Sequence, residues 1–440
     1  MTDWFHSAEL VSLLAQWLPT LRWFPAKDDP LATIESVQCV PLATASDDVR
    51  LALVRLATAE GPLVLQVPLV RLPAAPPGAD VVGRVQGGVL VDGAAQPHFL
   101  AAWLAAAETG GQVLAAPDGS SPLPELRAGL AGARALGAEQ SNTSVLLPSA
   151  TGGAVLKLFR VLASGENPDV ALPVALARAG WHRVPRPVAW LSLPAAGALL
   201  GQAGSVVHSG VLATYVPAAT DGFTHFTNLL AAGEREQVTQ LAGTLGAATA
   251  QMHAVLHNLG TADPGQPAAL VAKLQAQADW AIGVASVLAP LAGDIKDALA
   301  AVAHVGDLPA AHRLHGDYHL GQCLWGADGW YVLDFEGEPL RPLAERTAPD
   351  QPARDVAGML RSFDYAAAVA HLADDELRQA ARTAFLAGYR AEELAAPLPE
   401  KLVRAYELDK ALYEVVYEVR NRPDWVEIPL AGVRRLLADS

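Results

Sequence analysis

Arg313-Leu-His-Gly-Asp-Tyr-His-Leu-Gly-Gln322 and, shortly after it, Tyr331-Val-Leu-Asp-Phe-Glu336 are the stretches whose reading decides the fold. In chain order they hold the oxygen-bearing groups that phosphoryl transfer needs. These are a carboxylate to orient an attacking hydroxyl and take its proton, then ligands that fix a hard cation against nucleotide phosphates. Asp317 suits the first role. Gln322 offers a neutral amide oxygen, and Asp334 ends an apolar run, 330–333, that reads as a strand delivering a carboxylate at its mouth. These two suit the metal, with Glu336 either a further ligand or a group behind the ligands. His-Gly-Asp alone is also ordinary turn chemistry, with Asp317 capping the turn. A second acidic motif behind a hydrophobic strand raises the pair above that reading.

Composition bounds the rest. The 440 residues, 51% hydrophobic, suffice for two or three core-bearing units. A net charge of -15 with no cluster of Lys or Arg argues against nucleic acid and against an anionic membrane surface as partners. No run of about 18 apolar residues suggests a membrane span, and the amino terminus lacks a basic region followed by an apolar core. Two cysteines, Cys39 and Cys323, fit a reducing compartment. The expectation is a cytoplasmic monomer acting on a small molecule.

Periodicity divides the chain into three parts: 1–88, 89–216 and 217–440. The first shows an amphipathic helix over 8–18 and strands over 34–42, 49–57 and 63–72, followed by a Pro- and Gly-rich loop, 73–80. The second shows helices over 97–109 and 168–179 and strands over 144–147, 154–159, 188–191 and 210–216. Asn142, Thr143 and Ser144 are placed in a turn whose backbone N–H groups either cradle phosphates or close a plain hairpin. Lys157 lies amid Val155, Leu156, Leu158 and Phe159, where strand alternation aims it into a cleft or into water. Thr214, Tyr215 and Val216 read as a hinge strand lending backbone groups to an adenine ring. The third part is helical over 234–257, 267–288, 293–305, 350–371, 374–393 and 399–421. Its last helix sets Asp409, Tyr413, Tyr417 and Arg420 along one face, beside a stripe of Lys410, Glu414, Glu418 and Asn421. Carboxylates and aromatics so arranged suit a sugar, and a solvated face laced by a Lys410–Glu414 pair is the alternative. Pro423 and Pro429 predict a rigid, extended segment carrying Trp425 as a stacking plate and Glu427 as a charge beside the pocket.

The two opening motifs, with Leu21-Arg-Trp-Phe-Pro-Ala-Lys27, Gly137-Ala-Glu-Gln-Ser-Asn-Thr-Ser144, Asn167-Pro-Asp169, Arg354-Asp-Val-Ala-Gly-Met-Leu-Arg-Ser-Phe-Asp-Tyr365 and Asn421-Arg-Pro-Asp-Trp425, resemble the aminoglycoside-phosphotransferase-like kinases. Within them the chain looks most like the bacterial maltokinases and the actinobacterial glucosamine kinases. The resemblance implies an α+β, bilobal, protein-kinase-like fold with an extra N-terminal cap and a mostly helical C-terminal lobe. It implies ATP and Mg2+ as cofactors and a sugar as acceptor. It makes Lys157 the lysine on the nucleotide phosphates, with Asp169 or Glu166 as its partner. It favours the last helix, Asp409 first, and His319 beside the sugar. Glucosamine phosphorylated at its 6-hydroxyl is the expected reaction, since Glu427 would suit an ammonium group. Maltose phosphorylated at its anomeric hydroxyl is the alternative, and a nucleotide-binding pseudokinase the remote one.

Overall fold

The computed structural model describes residues 8–42, 46, 48–137, 141–150, 152–338, 343–372 and 375–438. They form two compact units, Met1–Val174 with Pro185–Pro217, and Ala175–Val184 with Ala218–Ser440.

The first unit begins with α1 (Ala8–Trp17), whose Leu10, Leu14 and Trp17 recur at helical spacing and are buried. They join a core formed with an antiparallel sheet of β1 (Thr33–Val40), β2 (Val49–Ala57), β3 (Leu63–Leu72), β4 (Val81–Val85) and β5 (Gly88–Asp92), in the order β1-β2-β3-β5-β4. The expected boundary after residue 88 thus falls at the first residue of β5. After α2 (Pro97–Thr109) and α3 (Leu123–Ala128) come β6 (Arg134–Leu136), β7 (Asn142–Leu147), β8 (Ala154–Phe159), β9 (Val161–Leu162), α4 (Pro168–Arg178), β10 (Pro187–Ser192), α5 (Pro194–Leu199) and β11 (His208–Thr214). A second sheet runs β10-β11-β8-β7-β6, while β9 crosses over and pairs with β3.

Two details show how β3 takes both β9 and β5 as partners and reaches the second sheet through a side chain. Pro68 would remove a ladder hydrogen bond from a central strand. It sits where β3 changes partner, between the residues paired with β9 (Val64, Leu65) and those paired with β5 (Leu69 onward). Gln66, the polar residue inside an apolar strand, is fully buried. Its amide donates to the carbonyl of Phe159 at 2.6 Å and accepts from the Ser209 hydroxyl at 2.6 Å, which answers the need of a buried polar group for partners. Arg160, between β8 and β9, is also buried. It bonds Asp92 at 2.6 Å and the Thr143 hydroxyl at 2.7 Å, and lies over the Trp23 ring.

The second unit holds β12 (Thr220–Asp221), α6 (Gly222–Ala232), α7 (Arg235–Leu259), β13 (Thr261–Ala262), α8 (Pro267–Val284), α9 (Ala292–Ala300), β14 (Ala311–His312), β15 (Cys323–Gly326), β16 (Gly329–Val332), α10 (Leu343–Arg346), α11 (Ala353–Val369), α12 (Glu376–Ala391), α13 (Glu400–Asn421) and α14 (Glu427–Ala438). β12, β15 and β16 make one small sheet. The sequence expectation omitted α6, which Asp221 starts by accepting from the Thr224 N–H at 2.8 Å. It also extended α8 too far, because Pro290 turns Ser286–Leu291 into a 3-10 helix. The segment 423–429, expected to be extended, is helical. Pro423 opens a 3-10 turn and Pro429 sits in the first turn of α14, where a missing N–H costs nothing. No helix among the described residues is long and apolar enough to cross a membrane.

Candidate active site

Asp317 stands on the loop between β14 and β15, and that loop is held from below. The Asp355 carboxylate, near the start of α11, accepts the N–H groups of His315 and Gly316, each at 2.9 Å. His253 of α7 meets the same carboxylate at 3.2 Å and the Tyr389 hydroxyl at 2.9 Å. Burial opposes ionisation of Asp355, but His253 and the loop N–H groups hold its carboxyl below the usual range. The His315 ring accepts the Asp317 N–H at Nδ1, 3.3 Å, so its proton is on Nε2, which donates to the Leu333 carbonyl at 2.7 Å. That bond ties the Asp317 loop to the strand leading to Asp334. Two glycines permit the approach. Gly316 adopts φ 85°, and a Cβ on Gly358 of α11 would meet the Tyr318 carbonyl oxygen at 2.6 Å.

The Asp317 carboxylate takes a bond from the Lys410 ammonium at 2.8 Å and has the His319 Nε2 at 3.8 Å. His319 accepts the Gly321 N–H at Nδ1, 3.1 Å, which leaves an Nε2 proton facing Asp317. Burial alone would raise the Asp317 carboxyl, but Lys410 and His319 hold it well below the usual carboxylate range. Lys410 also bonds Glu338 at 2.7 Å and lies over the Tyr413 ring. Burial opposes its charge, yet the two carboxylates keep it above the ordinary lysine range. Asp317 is therefore an ionised acceptor with a fixed orientation.

Gln322 and Asp334 lie side by side across the β15–β16 hairpin, the amide nitrogen 3.5 Å from the carboxylate. A carboxylate oxygen of Glu336 lies within 4.8 Å of one of Asp334. Asp334 has φ 56°, a left-handed conformation that costs a residue with a Cβ roughly 1 to 3 kcal/mol. One amide and two carboxylates are hard oxygen donors, so the set fits magnesium.

In the first unit, Lys157 on β8 bonds Asp169 of α4 at 2.9 Å, both side chains largely buried. Glu166 precedes the helix and is exposed, so Asp169 is the partner. Asn142, Thr143 and Ser144 are not in a turn. They form the start of β7, paired with Phe159, Leu158 and Lys157, because the hairpin closes later, at Gly152 and Gly153. Thr214 and Tyr215 direct their amide N–H groups to the carbonyls of Arg186 and Gly153, at 2.9 and 3.0 Å. That commits two of the three amides of the expected hinge, with Val216 following.

Two family models match the chain, one described as maltokinase N-terminal cap domain over residues 17–95 and one as phosphotransferase enzyme family over 132–401. The chain belongs to the phosphotransferase enzyme family. A glucosamine kinase of Streptacidiphilus jiangxiensis is 33% identical over 408 residues, 85% of this phosphotransferase and 86% of that protein. A glucosamine kinase of Mycolicibacterium smegmatis is 31% identical over 334 residues, 70% and 80% of the two chains. A solved glucosamine kinase in crystal form B superposes over 97% of this chain and 99% of its own, with 25% identity and a TM-score of 0.70. One in complex with glucosamine, ADP and inorganic phosphate, 23% identical, has the same TM-score and shares the fold. The expected kinase-like α+β fold with a cap and a helical C-terminal part is the fold of this phosphotransferase.

The residues expected around the acceptor have different partners. His319 and Tyr413 lie at Asp317 and its Lys410. Asp409 is buried, and its charge acts on Arg354. Glu414 bonds Arg361 at 2.8 Å and belongs, with Asp364, to an arginine-rich cluster inside the second unit. Arg420 lies over the exposed Trp280 ring, Trp425 stacks on Tyr365, and Glu427 is exposed and paired with Arg434 at 2.5 Å. The helical turn at 423–429 sends Glu427 back along α14 to Arg434, so the extended segment its expected role required does not exist. The Lys410–Glu414 pair is replaced as well, since Lys410 reaches Asp317. Lys410, Glu338 and Asp355 were missed as parts of the site. Lys410 directly follows Asp409, and Asp355 lies within the Arg354-to-Tyr365 motif, so their positions in sequence were available but their partners were not.

Proposed function

We propose that this phosphotransferase transfers the γ-phosphoryl group of ATP to the 6-hydroxyl of glucosamine, giving glucosamine 6-phosphate and ADP. The observation that carries the reading is the pair of glucosamine kinases 33% and 31% identical over most of the chain, together with an oriented, ionised Asp317. Asp317 orients the hydroxyl and takes its proton as the sugar oxygen attacks phosphorus and the bond from phosphorus to the β–γ bridging oxygen breaks. Gln322, Asp334 and Glu336 would hold magnesium, which neutralises charge on the transferred group when bound. Lys157, fixed by Asp169, serves the phosphates, with the 142–144 strand and the 214–216 backbone on the nucleotide. His319, Tyr413 and Asp409 are the leading sugar contacts, and Asp409 takes precedence over Glu427 for the ammonium because it is the buried carboxylate. Two buried cysteines, Cys39 and Cys323, support a reducing, cytoplasmic setting, and a monomer is the simplest form of the enzyme.

The maltokinase cap match over 17–95 favours a second reading, maltose phosphorylated at its anomeric hydroxyl. A panel of sugars assayed with ATP and magnesium, the product position read by phosphorus NMR, separates the two. Efficient turnover of maltose with little of glucosamine would overturn the first reading in favour of the second.

A further inference from the structure

We propose that Lys410 is the positioning residue of Asp317, holding the carboxylate in its productive orientation as one member of a buried series of alternating charges. The series runs from Asp317 to Lys410 (2.8 Å), Glu338 (2.7 Å), Arg354 (3.1 Å) and Asp350 (3.3 Å). Tyr406 of α13 closes it with a 2.7 Å bond to Asp350. Four of its five charged members are no more than 14% exposed, and Asp317 itself is 17% exposed. Lys410 has carboxylates on two sides and the Tyr413 ring on another, so its ammonium has little freedom to move, and neither has the Asp317 oxygen it holds. The series is anchored on the Asp317 loop, the segment after β16, the segment leading into α11, and helices α11 and α13. It couples the position of the base to helix packing far from it in sequence.

The proposal rests on the reading of Asp317 as the base. Without Lys410, Asp317 would face Glu338 with no cation between them, and among the described residues His319 would be the cation left beside it. The experiment is the pH dependence of kcat/KM for the sugar at saturating ATP. Lys410→Met is expected to move the acidic limb up by at least about one pH unit and to lower kcat at neutral pH by at least about tenfold, with ATP affinity unchanged. Lys410→Arg should keep the limb near its wild-type position, and Lys410→Met with Glu338→Gln should return it part of the way, because the opposing carboxylate is then gone. Glu338→Gln alone covers the case in which Lys410→Met does not fold. Lys410 then still holds Asp317, and the limb does not rise. An unmoved limb in folded Lys410→Met, or a raised limb in Glu338→Gln, overturns the proposal. Asp317→Asn separates the two levels. If it keeps turnover, the base reading itself falls; if it is inactive while Lys410→Met keeps its limb, only the role of Lys410 falls.

Discussion

Lys157 in the first unit and Asp317 in the second are both charged, both largely buried, and held in opposite ways. Lys157 meets Asp169, twelve positions further along, through a 2.9 Å bond between elements close in sequence. Asp317 ends a chain of five alternating charges whose first two links span 93 and 72 positions. A short pair of this kind is made wherever strand and helix fold against each other. Cutting it leaves one buried charge without the partner that stabilised it. In the longer series each inner member has two opposite neighbours, so losing one redistributes the interactions instead of removing them all. Lys157 is thus placed by local folding, whereas Asp317 is placed by packing of the whole helical unit.

The sharpest break is Asp317→Asn. Turnover should fall by about 10² to 10⁴, the usual contribution of a positioned general base, while ATP binding measured by calorimetry stays close to wild type. A variant that lost both together would make Asp317 a structural member of its series. Next in size, Lys157→Ala should lower kcat/KM for ATP by about 10- to 100-fold, the worth of a charge-assisted bond. It should also lower the melting temperature, and adding Asp169→Ala should restore that temperature without restoring ATP use. Recovery of both would mean that the pair serves only the fold.

On the acceptor side, Asp409→Asn should reduce kcat/KM for glucosamine about tenfold or more beyond its effect on glucose, as for a partly buried carboxylate–ammonium bond. Glu427→Gln should change the ratio of the two rates by less than about threefold, because an exposed carboxylate already paired with Arg434 has little to offer. Equal effects of the two variants would remove the distinction drawn between them.

A separate effect concerns stability behind the Asp317 loop. His312 is fully buried, donates from Nδ1 to the Arg313 carbonyl at 2.7 Å, and its Nε2 has no hydrogen-bond partner among the described residues. Burial first, then the facing His253 and His257, push its pKa down to about 4 against the opposing pull of the Arg313 carbonyl and Asp355. Because the folded value lies below the unfolded one near 6.5, the unfolded chain binds the extra proton in between. His312 therefore contributes stability that is complete above pH 6.5 and is lost as the pH falls toward 4, at most about 3 kcal/mol. Denaturation midpoints between pH 7 and 4.5 should fall less steeply for His312→Gln than for wild type. Identical slopes would show that the ring titrates as freely in the folded protein as in the unfolded one.

Sequence alone determined what depends on short-range pattern. The strands at 49–57 and 63–72, the long helices, the Asp317 loop and the hairpin carrying Asp334 follow from hydrophobic period and from glycine and acid at fixed spacing, and they reappear in the structure. The assignment of Asp169 over Glu166, the strand position of Asn142 to Ser144, the helical turn around Trp425 and the link from Lys410 to Asp317 were decided only by tertiary structure. Each is a choice among partners that local propensity leaves equal. Pro423 is as compatible with a helical first turn as with an extended segment, and Lys410 has Glu414 one helical turn away as well as Asp317 across the fold. What settles such choices is burial. Once α13 packs on α11, the Lys410 ammonium is out of water and must take the carboxylates enclosed with it, and no reading of one helix lists those.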